Sequence, residues 1–250
     1  IEPNSGKSVV VLGLMRMLLG KTAKVGYFRP IIDDNEEGEM DNHINTVVSH
    51  FELDINYKKT YAFTRNEVLD KYNQGKSGEV IDEIIRKYKN LEEIFDFILV
   101  EGTDFSHENS ILELDINILI SKNLGLPVII VSHGEGKNHK EIVDSIQLAH
   151  DTFKEDVDVL SIMTNKVKEE DISTIKKLLS KRINNGTDIS VIPKINNLSS
   201  PTVKEIVKAL DGKVLLGKKY LNNQAENFGV GAMQLRNYLT HLKDNTLVIT

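Results

Sequence analysis

The stretch Glu2-Pro3-Asn4-Ser5-Gly6-Lys7-Ser8 decides the fold of this chain, because the apolar run Val9–Met15 follows it at once. Gly-Lys-Ser in front of an apolar helix is the end of a phosphate-binding loop of the type G-x-x-x-x-G-K-[ST]. In such a loop the backbone N–H groups surround a phosphate, the lysine neutralises its charge, and the serine hydroxyl binds Mg²⁺. The start of the following helix adds its positive dipole end to the same site.

The match to this loop pattern is incomplete. The leading glycine would fall at Ile1, and the strand that precedes a loop of this type does not stand in front of it. We therefore expect the chain to be a fragment that starts inside the motif. A simpler interpretation is a helix N-terminus with Ser5 as its cap and Lys7 on the surface.

The composition excludes several classes of function. A net charge of −6 and a pI near 5.7 argue against nucleic-acid binding, which needs a basic surface. No apolar run approaches the roughly 20 residues of a membrane span, so we expect no membrane segment. The chain contains no cysteine, which excludes disulfides and cysteine metal sites and fits a cytoplasmic protein.

Helix-like and strand-like segments alternate along most of the chain, which predicts βαβ units and a parallel sheet. The predicted strands are Lys24–Phe28, Phe95–Val100, Pro127–Val131, Val157–Met163 and Ile189–Ile192. The predicted helices are Lys7–Leu19, Asp41–Phe51, Ser77–Tyr88, Asn109–Asn123, His139–Phe153 and Glu169–Arg182. We expect an α/β, three-layer P-loop NTPase-like fold with a mainly parallel sheet over residues 1–195.

A polar, turn-rich stretch, Asn196–Pro201, predicts a linker. We expect residues 196–250 to form this linker and an incomplete small α/β module, because about fifty residues seldom make a stable domain alone. Its predicted elements are a helix over Val203–Leu210, a strand over Lys213–Leu216, a helix near Ala232–Leu242 and a strand from Thr246.

Two acidic residues are candidate Mg²⁺ ligands. Glu101 follows the apolar strand Phe95–Val100 and is itself followed by Gly102, which places it at the carboxyl edge of the sheet, where open α/β folds bind ligands. An exposed acidic residue at a strand end is the alternative. Asp41 stands just ahead of a predicted helix and is the third candidate ligand beside Ser8 and Glu101; alone, it would be a helix cap.

Two further polar residues follow predicted strands. Arg29 precedes Pro30 at the same edge and could bind an anion, or it forms a surface salt bridge. Asn165, at the end of the strand Val157–Met163, could read a purine edge through its amide, or it serves as a turn residue.

These motifs, in this order, resemble the N-terminal region of long-form phosphate acetyltransferases. The similar segments are Glu2–Met15, Val25–Ile31, Leu99–Gly102 and Ile162–Lys166. The region belongs to a P-loop group that includes dethiobiotin synthetase and cobyrinic acid a,c-diamide synthase. The tail, with Gly229–Met233 and Leu247–Thr250, resembles the beginning of a DRTGG domain.

The resemblance implies a nucleotide site and a Mg²⁺ site. The loop Asn4, Ser5, Gly6, Lys7 and Ser8, with Asn165, would bind the nucleotide (ATP or NADH), and Ser8, Asp41 and Glu101 would bind Mg²⁺. One departure matters, because the substrate-binding lysine of the synthetase is here Arg29, which cannot act as an amine nucleophile.

In long-form phosphate acetyltransferases, acetyl transfer from acetyl-CoA to phosphate resides in a separate C-terminal domain. The resemblance therefore implies a regulatory fragment that binds a nucleotide or metabolite effector, assists homo-oligomerisation and lacks acetyl transfer. Two alternatives stay open. One is an ATP- and Mg²⁺-dependent ligase of the dethiobiotin synthetase type, and the other is a scaffold whose loop binds nothing.

Overall fold

The computed structural model describes residues 5–22, 24–34, 39–103, 110–183, 186–195, 200–231, 238–240 and 242–250. The chain divides into two compact units, Ile1–Pro193 and Lys194–Thr250. Among the described residues, no helix combines the length and apolar character that crossing a bilayer requires.

All strand ladders in the described part of the first unit are parallel, which confirms the predicted α/β class. Strand β1 pairs with β4, β2 with β3, and β6 lies between β5 and β7. The strands are β1 (Val25–Phe28), β2 (Ile31–Ile32), β3 (Phe63–Thr64), β4 (Phe97–Val100), β5 (Val128–His133), β6 (Val159–Val167) and β7 (Asp188–Pro193). The described strands thus form three separate ladders in this unit.

Helices pack against both faces of strand β1. The described helices of the first unit are α1 (Lys7–Leu19), α2 (Asn42–His50), α3 (Arg65–Asn73), α4 (Ser77–Glu92), α5 (Ser110–Leu124), α6 (His139–Phe153) and α7 (Ile172–Arg182). On β1, Val25 and Tyr27 pack toward α1 and α2, whereas Phe28 packs toward α3, α4 and α5. This period of two places a helical layer on each side of the strand.

Side-chain hydrogen bonds to the backbone fix the starts of two of these helices. Thr64 and Asn138 form capping boxes with Glu67 and Glu141 at the starts of α3 and α6. On α4 the apolar residues Val80, Ile84 and Leu91 recur at helical spacing and are fully buried. A third core cluster joins α6 and α7 to the ladder of β5, β6 and β7.

The second unit contains helix α8 (Val203–Ala209) and the parallel pair β8 (Asn227–Val230) and β9 (Thr246–Ile249). The predicted strand over Lys213–Leu216 is wrong: these residues are irregular, and Leu215 and Leu216 are 82% and 91% exposed. The predicted helix near Ala232–Leu242 and the linker at Asn196 lie largely outside the described residues.

Sequence periodicity missed several short elements. Strands β2 and β3 contain two residues each, which is too short to show an alternation. Helix α3 and strand β8 were also absent from the prediction. Strand β6 extends beyond the predicted end at Met163 to Val167, and the predicted helix Glu169–Arg182 begins with a 3₁₀ turn at Glu169–Asp171.

Candidate functional site

The loop Ser5–Ser8 leads directly into helix α1. Gly6, not Ser5, is the N-cap of this helix, and its φ of 82° lies in the left-handed region that favours glycine. A Cβ at Gly6 would lie 2.2 Å from Nδ2 of Asn165. The first turn of α1 contains no acidic side chain, so its positive end is not neutralised from within the helix.

Lys7 and Ser8 point toward the carboxyl end of β4. The Lys7 ammonium donates to the carbonyl oxygen of Gly102 at 3.2 Å. The Ser8 hydroxyl lies 3.0 Å from Nδ1 of His43, and the same nitrogen lies 2.8 Å from Oε1 of Glu101. The ammonium of Lys7 therefore lies at the carboxyl end of β4, and Ser8 and Glu101 contact the same nitrogen of His43.

Glu101 is only 3% exposed and lies in a network of hydrogen bonds. Burial acts to raise its pKa, but the hydrogen bond and charge of His43, the hydroxyl of Tyr27 at 2.6 Å and the charge of Arg29 outweigh it and lower the pKa. The hydrogen bond to Glu101 in turn raises the pKa of His43 against the opposing effect of burial. Burial and the Glu101 charge raise the pKa of Tyr27, so this phenol stays a donor.

Arg29 and Asp41 form a buried ion pair beside this network. Nη1 of Arg29 lies 2.7 Å from Oδ2 of Asp41, and the Arg29 side chain is 1% exposed. The other Asp41 oxygen accepts the Ile44 N–H and caps α2. The pair is therefore interior, not the surface salt bridge that was the alternative for Arg29. Both carboxylate oxygens of Asp41 have protein partners in this arrangement.

Asn165 approaches the loop from the opposite side. Its Nδ2 donates to the carbonyl oxygen of Ser5 at 3.1 Å, and its Oδ1 accepts the N–H of Lys166. Lys166, the next residue of β6, has a φ of 53°, in the left-handed region that residues other than glycine rarely adopt. In this arrangement the amide supports the loop backbone.

The structure brings most of the predicted site residues to one place. Lys7, Ser8 and Glu101 lie around His43 and Gly102, while Asn165 holds Ser5 and Gly6 from the other side. Asp41 and Arg29 pair with each other next to this group. Asn4, the remaining predicted residue, lies outside the described residues.

Two residues of this network, His43 and Tyr27, were not singled out by the sequence. Tyr27 lies two positions before Arg29 on the same face of an extended segment, a spacing that could have indicated a shared polar face. His43 lies two positions after Asp41 in the first turn of α2. Its contact with Ser8 joins segments far apart in sequence, so no local pattern indicates it.

The oxygen atoms at this site can be compared with the ligands that Mg²⁺ requires. Within the described residues, no three His, Asp or Glu side chains cluster as a metal cage. Mg²⁺ in phosphate sites needs only one or two protein oxygen ligands, with phosphate oxygens and water completing the shell. The hydroxyl of Ser8 and the carboxylate of Glu101 fit that requirement, because both contact Nδ1 of His43 and therefore lie close to each other.

The chain is similar in sequence to two groups of known proteins. The chain is 37% identical to the phosphate acetyltransferase of Nitratidesulfovibrio vulgaris and 34% identical to that of Synechocystis sp., in each case over 100% of this chain and 36% of the relative. It is 23% identical to the ATP-dependent dethiobiotin synthetase BioD of Clostridium perfringens, over 83% of this chain and 93% of the relative.

Family models give the same assignment and confirm the resemblance stated above. Residues 205–250 match a model described as DRTGG domain. The chain spans about a third of the phosphate acetyltransferases it matches, and it is homologous to their N-terminal part. Residues 1–216 match the model described as AAA domain, which is most of the sequence, and this chain therefore belongs to the AAA domain family AAA_26.

Proposed function

We propose that this chain is a regulatory, nucleotide-binding module of a cytoplasmic phosphate acetyltransferase. In the parent protein, acetyl-CoA and phosphate would be converted to acetyl phosphate and CoA by a C-terminal domain. The observation that carries the proposal is the convergence of Lys7, Ser8 and Glu101 at the start of α1. These residues lie in a chain that is homologous to the N-terminal part of phosphate acetyltransferases.

The proposed site binds the phosphates of a nucleotide such as ATP or NADH. The N–H groups at the start of α1 and the ammonium of Lys7 attract the phosphate charge. To reach it, Lys7 exchanges its hydrogen bond to Gly102 for one to the ligand. Ser8 and Glu101 would hold Mg²⁺, which supplies charge neutralisation between the phosphates and the protein.

His43 lies where that cation would bind. Because its Nδ1 contacts both Ser8 and Glu101, the imidazole has to leave one of them when a metal ligates the same oxygens. His43 is half-buried and lies in the first turn of α2, so its imidazole has contact with solvent. We propose that His43 stabilises Glu101 in the ligand-free protein.

Calorimetric titration with ATP, ADP and NADH, with and without Mg²⁺, tests this function. We expect Lys7→Ala to weaken nucleotide binding by about tenfold or more, because a charge-assisted contact is lost. Lys21→Ala is the matched control, since Lys21 is an exposed lysine just beyond the other end of the same helix. No heat with any of the three nucleotides would favour the scaffold that binds nothing.

A ligase function is the second candidate, favoured by the match to nearly the whole length of a dethiobiotin synthetase. It predicts steady ADP release that depends on a carboxylate substrate and is abolished by Glu101→Gln. The buried position of Arg29 against Asp41 argues against it, because a guanidinium held in an interior ion pair is not available to bind a substrate as the synthetase's lysine does. We therefore expect binding without turnover.

A further inference from the structure

A hydroxyl, a carboxylate and an imidazole meet at the start of helix α1. Nδ1 of His43 lies 3.0 Å from the hydroxyl of Ser8 and 2.8 Å from Oε1 of Glu101. The three residues are distant in sequence, since Ser8 lies on α1, His43 lies on α2 and Glu101 follows β4. One nitrogen and two oxygen atoms therefore converge between these elements.

Hydrogen bonding alone cannot satisfy these three groups. A histidine ring nitrogen either carries one proton and donates it, or carries none and accepts. If Nδ1 of His43 carries the proton and donates it to Glu101, it cannot accept the hydroxyl proton of Ser8. If Nδ1 carries no proton, it can accept from Ser8, but Nδ1 and the carboxylate of Glu101 then face each other as two acceptors at 2.8 Å. A cation in contact with all three atoms satisfies each of them.

The distances at Nδ1 match the spacing of ligands on one metal ion. Two neighbouring ligands of an octahedral ion, each bonded at about 2.1 Å, lie about 3.0 Å apart. The distances from Nδ1 of His43 to the oxygens of Ser8 and Glu101 are 3.0 Å and 2.8 Å. The imidazole can therefore become a ligand together with both oxygens without a large movement of any of the three side chains.

Neighbouring contacts decide which groups face this point. The hydroxyl of Tyr27 donates to Oε2 of Glu101 at 2.6 Å, which orients the carboxylate so that Oε1 faces His43. Asp41, the other acidic candidate ligand, has protein partners on both of its carboxylate oxygens. Among the described residues, the start of α2 therefore supplies an imidazole nitrogen to this site and no second carboxylate.

We propose that the cation of this site is a first-row transition metal ion of the Co²⁺, Ni²⁺ and Zn²⁺ class, bound by Nδ1 of His43, Oε1 of Glu101 and the hydroxyl of Ser8. This inference rests on the proposed nucleotide site and assigns it a cation other than Mg²⁺. Mg²⁺ takes oxygen ligands and has to move the imidazole aside, whereas the transition metal ions accept imidazole nitrogen and keep it in place. His43 is thus the residue that determines which cation accompanies the phosphate.

Calorimetric titration with Co²⁺ alone and with Mg²⁺ alone tests the choice of cation. His43→Asp replaces the imidazole by a carboxylate, which suits Mg²⁺, and we expect the ratio of Co²⁺ affinity to Mg²⁺ affinity to fall by about tenfold or more. His50→Gln is the matched control and should leave the ratio unchanged, because His50 is an exposed histidine at the other end of the same helix. The titrations are made at about pH 8, since a ligand nitrogen must be unprotonated.

Proton NMR of the protein with Co²⁺ identifies the nitrogen ligand. An imidazole bound to paramagnetic Co²⁺ through Nδ1 gives a strongly shifted, exchangeable resonance from its Nε2–H. We expect this resonance in the wild type and in His50→Gln, and we expect its loss in His43→Gln. Because glutamine is an uncharged side chain of similar size, this measurement does not depend on the folding of His43→Asp.

Three results would overturn the inference: an equal ratio of affinities in the wild type and His43→Asp, no shifted histidine resonance with Co²⁺, and loss of that resonance in His50→Gln. Adding ATP to each metal-loaded protein separates this inference from the nucleotide function. Heat of ATP binding that is the same with Mg²⁺ and Co²⁺, in the wild type and in His43→Asp alike, contradicts only the choice of cation. A Co²⁺ site with the expected ratio and resonance, but no heat with ATP, contradicts only the nucleotide function.

Discussion

His43 makes the candidate site sensitive to pH through its contact with Glu101. The folded protein raises the pKa of His43 above its ordinary value of 6.5 and lowers that of Glu101 below 4.5. The stability that this pair contributes is therefore fully present between pH 4.5 and 6.5. It is lost as the pH rises through the raised pKa of His43 or falls through the lowered pKa of Glu101.

Urea unfolding of the wild type and His43→Gln across this range checks the prediction. We expect the difference in free energy of unfolding to be largest between pH 4.5 and 6.5 and to shrink on both sides. A difference that is constant from pH 4 to pH 9 would contradict an ion pair between these two residues.

Asn165 supports the loop by donating to the Ser5 carbonyl, and this contact does not involve the base of a bound nucleotide. We therefore expect Asn165→Ala to weaken the binding of ATP and of inorganic tripolyphosphate by similar factors. Competition of both ligands against a fluorescent nucleotide measures this. A loss confined to ATP would instead show that the amide reads the base, as the resemblance to the synthetase implies.

At the scale of single elements, the capping box of α6 stabilises the helix that covers β5. The Asn138 side chain accepts the N–H groups of Lys140 and Glu141. Asn138→Ala should lower the free energy of unfolding by about 1 kcal/mol in chemical denaturation. Lys140→Ala, an exposed position in the same turn, is the control and should change little. Equal losses would show that the cap contributes nothing of its own.

The long elements could be predicted from the sequence, because the apolar residues within each one recur at the spacing of a helix or a strand. Helix α6 has the predicted bounds His139–Phe153, and β1 begins one residue after the predicted start. The strand predicted over Lys213–Leu216 failed because an apolar run needs a neighbouring strand and a covering layer, and Leu216 has neither cover nor ladder in the described structure.

The candidate site, too, could be predicted from the sequence only in part. The meeting of the loop with Glu101 follows from a general rule, since the carboxyl ends of parallel strands share one edge. The contact of His43 with both Ser8 and Glu101 depends on how α2 packs beside α1, which no sequence spacing encodes. The pairing of Arg29 with Asp41 likewise depends on their common burial.

At the scale of the whole molecule, we propose a nucleotide site within this chain and acyl transfer outside it. We expect the purified chain to form no acetyl phosphate from acetyl-CoA and phosphate, because the chain aligns with only 36% of the acetyltransferases it matches. A coupled thiol-release assay, run beside an intact phosphate acetyltransferase, measures this. Turnover by the chain alone would place the reaction within these 250 residues.

The edges of β4 and β5 that no described strand covers affect how the molecule behaves in concentrated solution. An open strand edge is a template for pairing between molecules, and it promotes fibrils when it is long, flat and outward-facing. Among the described residues, these two edges border one apolar cleft of about 440 Å³ that α1 and α5 also line, so each edge faces the cleft and not the outer surface. Neither edge therefore presents the outward-facing template that favours pairing between molecules.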